Sequence, residues 1–339
     1  MEFTASGQWE VRITPLDVGK RVSVRRLAEA GGIGGTFTDA VGVLTSWDEG
    51  VLVITRRTGE IVRIPETSLV AGKVVPTAPA RRRGLPAASF EELARISARA
   101  WQPVESEPLG EWLLRAASGF TRRANSVLPL GDPGLPLDEA LERVGAWYRT
   151  RGLPACIQAA TGAEGTQEAL CAELERRGWV REVTTELRVG GLAPVGDLDT
   201  DVSLVRIDRS FDEDWLRRYQ RFDAPGPHVR AVLSSGPSVW FATVPGEPGV
   251  PAAIGRCVVD GRWAGFMAVE VDPARRRQGL AKAVMAALAR RALEEGASAA
   301  WLQVESDNDH ARAMYEGLGF ATHHLYHHFR HTTGSSEHF

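Results

Sequence analysis

The chain has 339 residues, of which 40 are lysine or arginine and 43 are aspartate or glutamate, so its formal net charge is −3. This length is enough for two or three domains with a sizeable core. The nearly balanced charge argues against a protein devoted to nucleic acid or to a membrane surface. Because no signal-like N-terminal run and no stretch near about twenty apolar residues occurs, we expect a cytoplasmic protein.

The cysteines exclude two common small-domain frameworks. They are few and widely spaced, and no Cys-X-X-Cys pair occurs, which predicts neither a disulfide framework nor a zinc ribbon. We therefore expect ordinary buried side chains and no metal site. The three residues are Cys156, Cys171 and Cys257.

Residues 1–76 differ in texture from the rest of the chain. Short apolar or alternating runs between tight turns predict strands at 22–25, 36–44, 51–54 and 61–64. Such regular short strands are typical of a small SH3-like β-barrel. Two roles stay open for it: a spacer barrel that helps the protein dimerise, or a module for a partner or nucleic acid. The second role would use Trp47 with Arg25, Arg26, Arg56 and Arg57. A linker rich in proline and arginine follows at 77–89.

Residues 90–192 have an α/β pattern that is repeated later in the chain. Helix, strand, helix and then Arg-Gly-Trp at 177–179 recur as a helix at 290–295, a strand at 301–304 and Leu-Gly-Phe at 318–320. This order predicts an internal duplication. The elements expected in the first copy are helices at 91–100, 137–152 and 167–177, and strands at 111–116, 125–128, 156–160 and 179–189.

The second copy is expected within residues 193–339, after a linker at 190–201. The expected elements are strands at 202–207, 239–244, 252–259, 263–271, 301–304 and 321–329, and helices at 212–223 and from 279. Four histidines lie on the last strand, where alternation would separate the members of each pair between its two faces. We therefore expect solvated side chains rather than a metal site. They are His323, His324, His327 and His328.

The stretch from Val269 to Phe320 is the most informative part of the sequence. An apolar strand at 266–271 is ended by Pro273, and a helix begins at Gly279. The first N–H groups of a helix have no internal partner and carry partial positive charge. With Arg275 and its neighbours around the turn, this predicts a site for a pyrophosphate. It is not a Walker loop, because GxxxxGK[ST] is absent.

Two sequence blocks carry a resemblance to a known family. Arg276-Arg277-Gln278-Gly279-Leu280-Ala281 fits the pattern (Q/R)xxGx(G/A), and the residues from Asn308 to Phe320 read NxxAxxxYxxLGF. In both blocks the chain resembles the GCN5-related N-acetyltransferase (GNAT) superfamily, over roughly 198–330, and in its duplication it is similar to the tandem actinobacterial type. The resemblance implies an α/β (α+β) chain. This would be a tandem GNAT acyl-CoA acyltransferase fold with a degenerate first copy at 90–192 and a catalytic copy at 193–339, preceded by the SH3-like barrel.

The first copy departs from the family pattern where the pyrophosphate loop would lie. Residues 130–138 contain two aspartates, no arginine and two prolines, which cannot donate N–H bonds. The asparagine and tyrosine of the second block are missing as well. We expect this copy not to bind coenzyme but to bury a shared sheet edge and to form one wall of the substrate cleft. The polar run 119–126 is either a structural turn or part of that wall.

The resemblance also implies acetyl-CoA, or another short acyl-CoA, as co-substrate. Its pantetheine arm would pair with the backbone of the strand at Val269 and Val271, and Asn308 would hydrogen-bond to the same arm. The diphosphate would bind to the helix N-terminus. The residues expected there are Arg276, Arg277, Gln278, Gly279, Leu280, Ala281 and Lys282.

Acetyl transfer to nitrogen needs a neutral amine, so a carboxylate must accept a proton. Glu270 lies on the strand beneath the expected thioester and points away from both flanking valines. Glu305 lies at the tip of the neighbouring strand. Both stay open as the base, with Glu270 preferred. In the second block, Tyr315 would protonate the departing thiolate.

These residues predict an N-acetyltransferase that works by direct attack in a ternary complex. The alternative is a non-catalytic acyl-CoA sensor or scaffold whose barrel binds protein or nucleic acid. The acceptor could be a cysteinyl amine, a protein lysine or an aminoglycoside-type amine. Whether the protein forms a homodimer also stays open.

Overall fold

The computed structural model describes residues 11–27, 37–56, 61–75, 84–219 and 226–331. The chain divides into two compact units. Apart from the segment Glu294–Gly296, the division falls between Pro79 and Ala80. Each unit has its own hydrophobic core, as the length of the chain suggests.

The N-terminal unit is one antiparallel five-stranded sheet of order β4-β3-β2-β1-β5. Its strands are β1 (Arg21–Leu27), β2 (Phe37–Asp48), β3 (Val51–Thr55), β4 (Ile61–Pro65) and β5 (Leu69–Val74). Alternate residues such as Val22, Val24, Val62 and Ile64 point into the core. The prediction of a small all-β unit is confirmed. Strand β5 was not predicted, because Gly72 and Lys73 interrupt its apolar pattern.

Two of the residues proposed for a partner surface are already engaged within this sheet. The indole N–H of Trp47 donates to a carboxylate oxygen of Glu66 at 3.3 Å. Arg25 forms an ion pair with Asp39 at 2.7 Å. Arg57 lies outside the described residues. A partner role for this face therefore stays an untested prediction.

The C-terminal unit is built on an eight-stranded sheet with a three-stranded sheet beside it. The eight strands, in spatial order, are β11 (Arg206–Asp208), β12 (Val239–Val244), β13 (Ala253–Asp260), β14 (Trp263–Val271), β15 (Ala299–Glu305), β10 (Trp179–Gly191), β16 (Ala321–His331) and β9 (Cys156–Thr161). The smaller sheet contains β6 (Glu105–Leu109), β7 (Trp112–Ala116) and β8 (Leu128–Pro129).

Eight α-helices accompany these sheets in the described residues. They are α1 (Phe90–Arg99), α2 (Leu137–Arg149), α3 (Glu168–Arg176), α4 (Leu192–Gly196), α5 (Glu213–Arg218), α6 (Pro227–Leu233), α7 (Leu280–Glu294) and α8 (Asp309–Gly317). Local sequence explains several of their starts. Ser89 accepts a hydrogen bond from the backbone N–H of Glu92 at 3.1 Å, and Asp212 accepts one from that of Trp215 at 2.8 Å.

The two copies exchange their last strands. Strand β10 closes the first copy, yet it lies between β15 and β16 of the second. Strand β16 closes the second copy, yet it lies between β10 and β9 of the first. Each copy thus lends a central strand to the other, which supports the expected internal duplication. Because of this exchange, β10 and β16 are interior strands of one sheet that both copies share.

Several predicted boundaries are wrong. The strand expected at 202–207 is reduced to β11, which pairs with β12 only over Arg206–Asp208. The linker expected at 190–201 contains the end of β10 and helix α4, whose Leu192 and Val195 are fully buried. In place of a strand at 125–128 there is a 3₁₀ turn, Arg122–Ala124, followed by β8. Strand β6 and helix α6 were not predicted.

The histidines of β16 are not solvated as expected. His324, His327 and His328 are all nearly fully buried. Burial lowers the pKa of His324 to about 3 and that of His327 to about 4, so both rings are neutral at physiological pH. In the described residues no group of histidines, cysteines and carboxylates could hold a metal ion.

The three cysteines are free and buried, as predicted. Burial raises the pKa of Cys156 to about 12 and that of Cys171 to about 11, which keeps both thiols protonated. Cys257 is a fully buried member of the core beneath α7. Among the helices in the described segments, none is long and apolar enough to cross a membrane.

Candidate active site

The site begins where two parallel strands separate. Strands β14 and β15 pair with each other from Trp263↔Ala299 to Phe266↔Leu302. Beyond that point the two strands form no further pair with each other. At the parting point Ala268 has a φ of 52°, and the register of β14 against β13 shifts between Ile254 and Arg256. A β-bulge of this kind bends a strand and leaves one residue unpaired. The result is a slot of roughly 260 Å³ between 267–269 and 303–305.

Successive residues of β14 beside the slot face opposite sides of the sheet. Val269 and Val271 pack into the core beneath α7, together with Tyr315. Glu270 pairs with Ile254, which belongs to the core on the opposite face. The alternation expected for Glu270 is therefore present. Glu305 lines the slot, whereas Glu270 is not among the lining residues.

The arginine-rich turn leads from β14 into the N-terminus of α7. Asp272 accepts a hydrogen bond from the N–H of Ala274 at 2.8 Å and is also bound by Arg218. Both contacts, that of Ala274 foremost, lower the pKa of Asp272 and keep it anionic. It therefore fixes the start of the turn. Gln278 accepts from Arg275 at 2.9 Å, which holds the turn across its width.

Positive φ angles complete the turn. Arg277 has a φ of 62° and Gly279 one of 82°. A Cβ at Gly279 would meet no atom within 4 Å, so the position needs glycine for its backbone conformation rather than for space within the protein. Within the described residues Arg276, Arg277 and Lys282 make no ion pair, and all three are exposed. The start of α7 is therefore an accessible concentration of positive charge.

Helix α8 forms the other border of the slot. Asn308 caps it, because the side-chain oxygen accepts from the N–H of Ala311 at 3.1 Å. The cap uses the side-chain oxygen, so the amide group keeps its two N–H donors. Tyr315 is half-buried, and its ring centroid lies 6.2 Å from that of Phe320. Asn308, Ala311 and Tyr315 all line the slot.

Strand β10 of the first copy anchors this helix. Arg312 of α8 donates to Glu186 of β10 at 2.8 Å, and Arg188 donates to the same carboxylate at 2.6 Å. Burial would raise the pKa of Glu186, but hydrogen bonds from Arg188 and Thr322 outweigh it and lower the pKa. The exchanged strand thus orients the helix that carries Asn308 and Tyr315.

The first copy also supplies a wall of the slot. Residues 120–123 line it. The buried Asn125 holds this loop in place: its oxygen accepts from the N–H groups of Ala117 and Gly119, and its amide donates to the carbonyls of Phe120 and Thr121, at 2.6–2.9 Å. The polar run 119–126 is therefore both a structural turn and a lining of the slot.

At the corresponding point of the first copy the two parallel strands are held together. Strands β8 and β9 meet through one parallel bridge, Val127↔Ile157. Just beyond it the side chain of Gln167 donates to the carbonyl of Pro129 and accepts from the N–H of Ala160 at 2.7 Å. Gln167 has the N-cap position of α3, as Asn308 has that of α8, but only the side chain of Asn308 makes a capping hydrogen bond. The amide of Gln167 therefore fills the place where a slot would open.

Of the residues that the sequence predicts for the site, Glu305, Asn308 and Tyr315 line the slot, whereas the residues of the turn do not. Sequence reasoning missed Trp101, Thr185, Tyr219 and His328, which also line the slot. These four come from separate elements and belong to no local pattern. The strand exchange that brings β10 and β16 to the slot could not be deduced from a single sequence.

Comparison with known proteins shows the family to which the chain belongs. Residues 87–329 match the family model described as "Probable histone acetyltransferase Rv0428c C-terminal", and 16–73 match "Rv0428c N-terminal Sm-like domain". The Mycobacterium tuberculosis protein named "Probable histone acetyltransferase Rv0428c" is 29% identical over 91% of this chain and 93% of its own length. The "Uncharacterized N-acetyltransferase YobR" of Bacillus subtilis is 24% identical over 68% of this chain and 94% of its own.

The fold has a counterpart among solved structures. A GCN5-related N-acetyltransferase from Kribbella flavida aligns with a TM-score of 0.54 at 16% identity, over 72% of this chain and 96% of that one. At this identity the likeness concerns the fold. It agrees with the diverging parallel strands and with the fold predicted from the two sequence blocks.

Proposed function

The chain belongs to the Rv0428c family and is an acetyltransferase of the GCN5-related type, and from this premise we propose that it transfers an acetyl group from acetyl-CoA to an amine. One observation carries the proposal. Two parallel strands part at Phe266 and Leu302 beside an arginine-rich helix start, which suits a long thioester with a diphosphate at its far end. Histone, in the name of the mycobacterial relative, would be one source of such an amine.

The turn before α7 would bind the diphosphate. The first N–H groups of a helix lack internal partners, so those at 278–282 would bind the diphosphate oxygens, and Arg276, Arg277 and Lys282, which make no ion pair with any described residue, would add positive charge beside them. The pantetheine arm would lie in the slot as an added strand along Val269 and Val271. The amide of Asn308 can donate to the same arm. Because β14 is bulged at Ala268, an N–H there is available to stabilise the oxyanion that forms on the thioester carbonyl.

Bond changes then follow from the position of the groups. The amine nitrogen attacks the thioester carbon, so a C–N bond forms and the C–S bond breaks. Glu305 and Glu270 are the carboxylates for the ammonium proton; Glu305 lines the slot, so it would accept directly, and Glu270 through water. Tyr315 would give its proton to the leaving thiolate, and the second proton that the nitrogen loses as the amide forms would restore the tyrosine. Direct attack in a ternary complex needs no covalent enzyme intermediate.

The remaining parts would be supporting ones. The first copy at 90–192 would act as a wall and as the donor of β10, without binding coenzyme. The N-terminal unit would be a spacer that helps the protein form a homodimer.

A thiol-release assay with a panel of amines tests the proposal. Turnover should fall roughly a hundredfold in Tyr315→Phe, since the acid is lost. Calorimetry should show unchanged affinity for the coenzyme, because the ring stays in place. Coenzyme binding without turnover on any amine would instead favour a non-catalytic sensor.

A further inference from the structure

Three arginines lie on or behind the wall of the slot that Trp101 forms. Arg123 lines the slot, donates to the hydroxyl of Tyr326 at 2.8 Å and lies 5.9 Å from the centre of the Trp101 ring. Arg256, fully buried, lies 5.0 Å from the same ring. Arg115 is also buried.

The partners of the two buried arginines are neutral. Arg115 donates to the backbone and hydroxyl of Ser126 and to Gln158 at 2.8–3.0 Å. Arg256 donates to the carbonyls of Leu233 and Ala100 at 2.6 and 2.9 Å. In the described parts of the chain neither these two nor Arg123 contacts a carboxylate. Burial lowers the pKa of Arg115 and of Arg256 only to about 10, so both stay charged near neutrality.

Two side chains on this wall have polar atoms without a partner. The indole N–H of Trp101 and both ring nitrogens of His328 are buried and make no hydrogen bond to any described residue. Trp101 is 3% exposed and His328 is 2% exposed, and both line the slot. Leaving such groups unsatisfied costs free energy, so a bound molecule or water is expected to satisfy them. Indole can only donate, so that molecule must offer an acceptor atom.

The charged residues near the slot indicate which ligand charges the slot favours. Arg122 lies 3.9 Å from Glu182, and that carboxylate already pairs with Arg330 at 2.6 Å. Glu305 is the one carboxylate among the described lining residues. Burial first, and then Arg123, Arg115 and Arg122, lower the pKa of His328, so its ring is neutral. Among the described lining residues, arginine charge, an indole N–H group without a partner and a single carboxylate together match a zwitterion.

We propose that the acceptor is a small amine bearing a carboxylate, of the amino-acid class, with its carboxylate at Arg123 and the Trp101 N–H and its amine toward Glu305. This rests on the proposed acetyl transfer. The carboxylate only binds and keeps its charge. The ammonium group loses one proton to Glu305, and the neutral amine forms the C–N bond as the C–S bond breaks. The nitrogen then loses a second proton, which balances the one that the thiolate gains from Tyr315. A polycationic peptide is disfavoured, because it would bring further positive charge to the arginines.

Matched acceptor pairs test this assignment. Initial rates of thiol release are measured for amino acids, for the same compounds with the carboxylate amidated or removed, and for lysine-rich peptides. We expect kcat/KM to fall roughly ten- to hundredfold when the carboxylate is lost, as for a charge-assisted hydrogen bond. In Arg123→Gln the two members of each pair should react alike. Arg123→Lys should restore part of the discrimination.

The controls separate the possible failures. Arg206→Met removes an exposed arginine of the edge strand and should leave the discrimination unchanged. Calorimetry with coenzyme A checks that each variant still binds the co-substrate. Turnover that ignores the carboxylate, or that is best with lysine-rich peptides, overturns this inference but leaves the proposed function intact. Absence of turnover with every amine, despite coenzyme binding, overturns both.

Discussion

The two copies of the duplicated fold differ at the point where two parallel strands part. In the second copy, β14 and β15 separate after four pairs and leave a slot. In the first, the amide of Gln167 joins Pro129 of β8 to Ala160 of β9. Asn308 has the same N-cap position, but within the described residues its side chain bonds only to the N–H of Ala311 in its own helix. The side chain of Gln167, which is one methylene longer than that of Asn308, thus bridges the two strands of the first copy.

The turns that follow the strands differ in the same sense. The second copy has Arg276, Arg277 and Lys282 with no ion pair within the described residues. The first has Asp132, whose N–H is bound by Glu111 at 2.8 Å and whose carboxylate accepts from Gly134 at 2.7 Å. Acids used for local hydrogen bonds leave no anion site. Duplication therefore keeps the scaffold while one copy supplies walls and a strand.

The largest effect is expected from Gly279→Glu. The added carboxylate would lie among the N–H groups at the start of α7 and repel the diphosphate, with two or more charge-assisted hydrogen bonds lost. Coenzyme affinity should fall roughly a thousandfold by calorimetry. Gly152→Glu is the matched control, because its φ of 65° and open surroundings impose the same backbone strain far from the turn. Equal losses in both variants would contradict the placement.

The next largest effect distinguishes the two carboxylates that could act as the base. Glu305→Gln should lower kcat roughly a hundredfold at neutral pH, because the base that lines the slot is removed. The loss should shrink as pH rises, since more of the amine is then already neutral. Glu270→Gln should have a smaller effect. A larger loss in Glu270→Gln would assign the base to β14 instead.

Opening the first copy tests the comparison itself. Gln167→Ala removes two hydrogen bonds and should cost about 2 kcal/mol in the free energy of unfolding, measured with denaturant. Calorimetry should still give one coenzyme per chain, because the turn at 130–138 lacks arginines. A second bound coenzyme would show that Gln167 alone silences that copy.

The smallest effect concerns the buried histidines of β16. Their pKa values are lowered in the folded protein, so below about pH 6.5 the unfolded chain takes up protons that the folded one does not. Stability is therefore fully present above that pH and is lost as the pH falls toward the folded-state values near 4 and 3. Between pH 7 and pH 6 we expect a loss of about 0.7 kcal/mol for each histidine.

His324→Phe should reduce that loss by roughly one histidine's share, because the ring packs edge-on against Phe90 and a phenyl group can keep the contact. Denaturation curves at the two pH values measure it. A stability that is flat or rises toward pH 6 would contradict the neutral, buried rings.

The sequence supports the local parts of this account well. Unbroken apolar patterns predicted β12, β13 and β14 closely, and the GNAT-like blocks located the turn before α7 and helix α8. Elements without such patterns were missed: β6 carries Glu105, Glu107 and Pro108, and α6 begins with Pro227 and His228. Periodicity is local, so it cannot show that β10 and β16 change places.

Site residues follow the same division. Asn308 and Tyr315 sit in a recognisable block, whereas Trp101 and His328 reach the slot only through the strand exchange and the packing of α1. Burial of the histidines was also unpredictable, because an alternating polar strand looks solvated unless both of its faces are known to be covered.

A crystal structure with bound coenzyme A tests the central claim most directly. The account predicts the diphosphate on the N–H groups at 278–282 and the pantetheine between β14 and β15, with Gln167 still joining β8 to β9. Coenzyme bound between β8 and β9, with the turn before α7 empty, would contradict it.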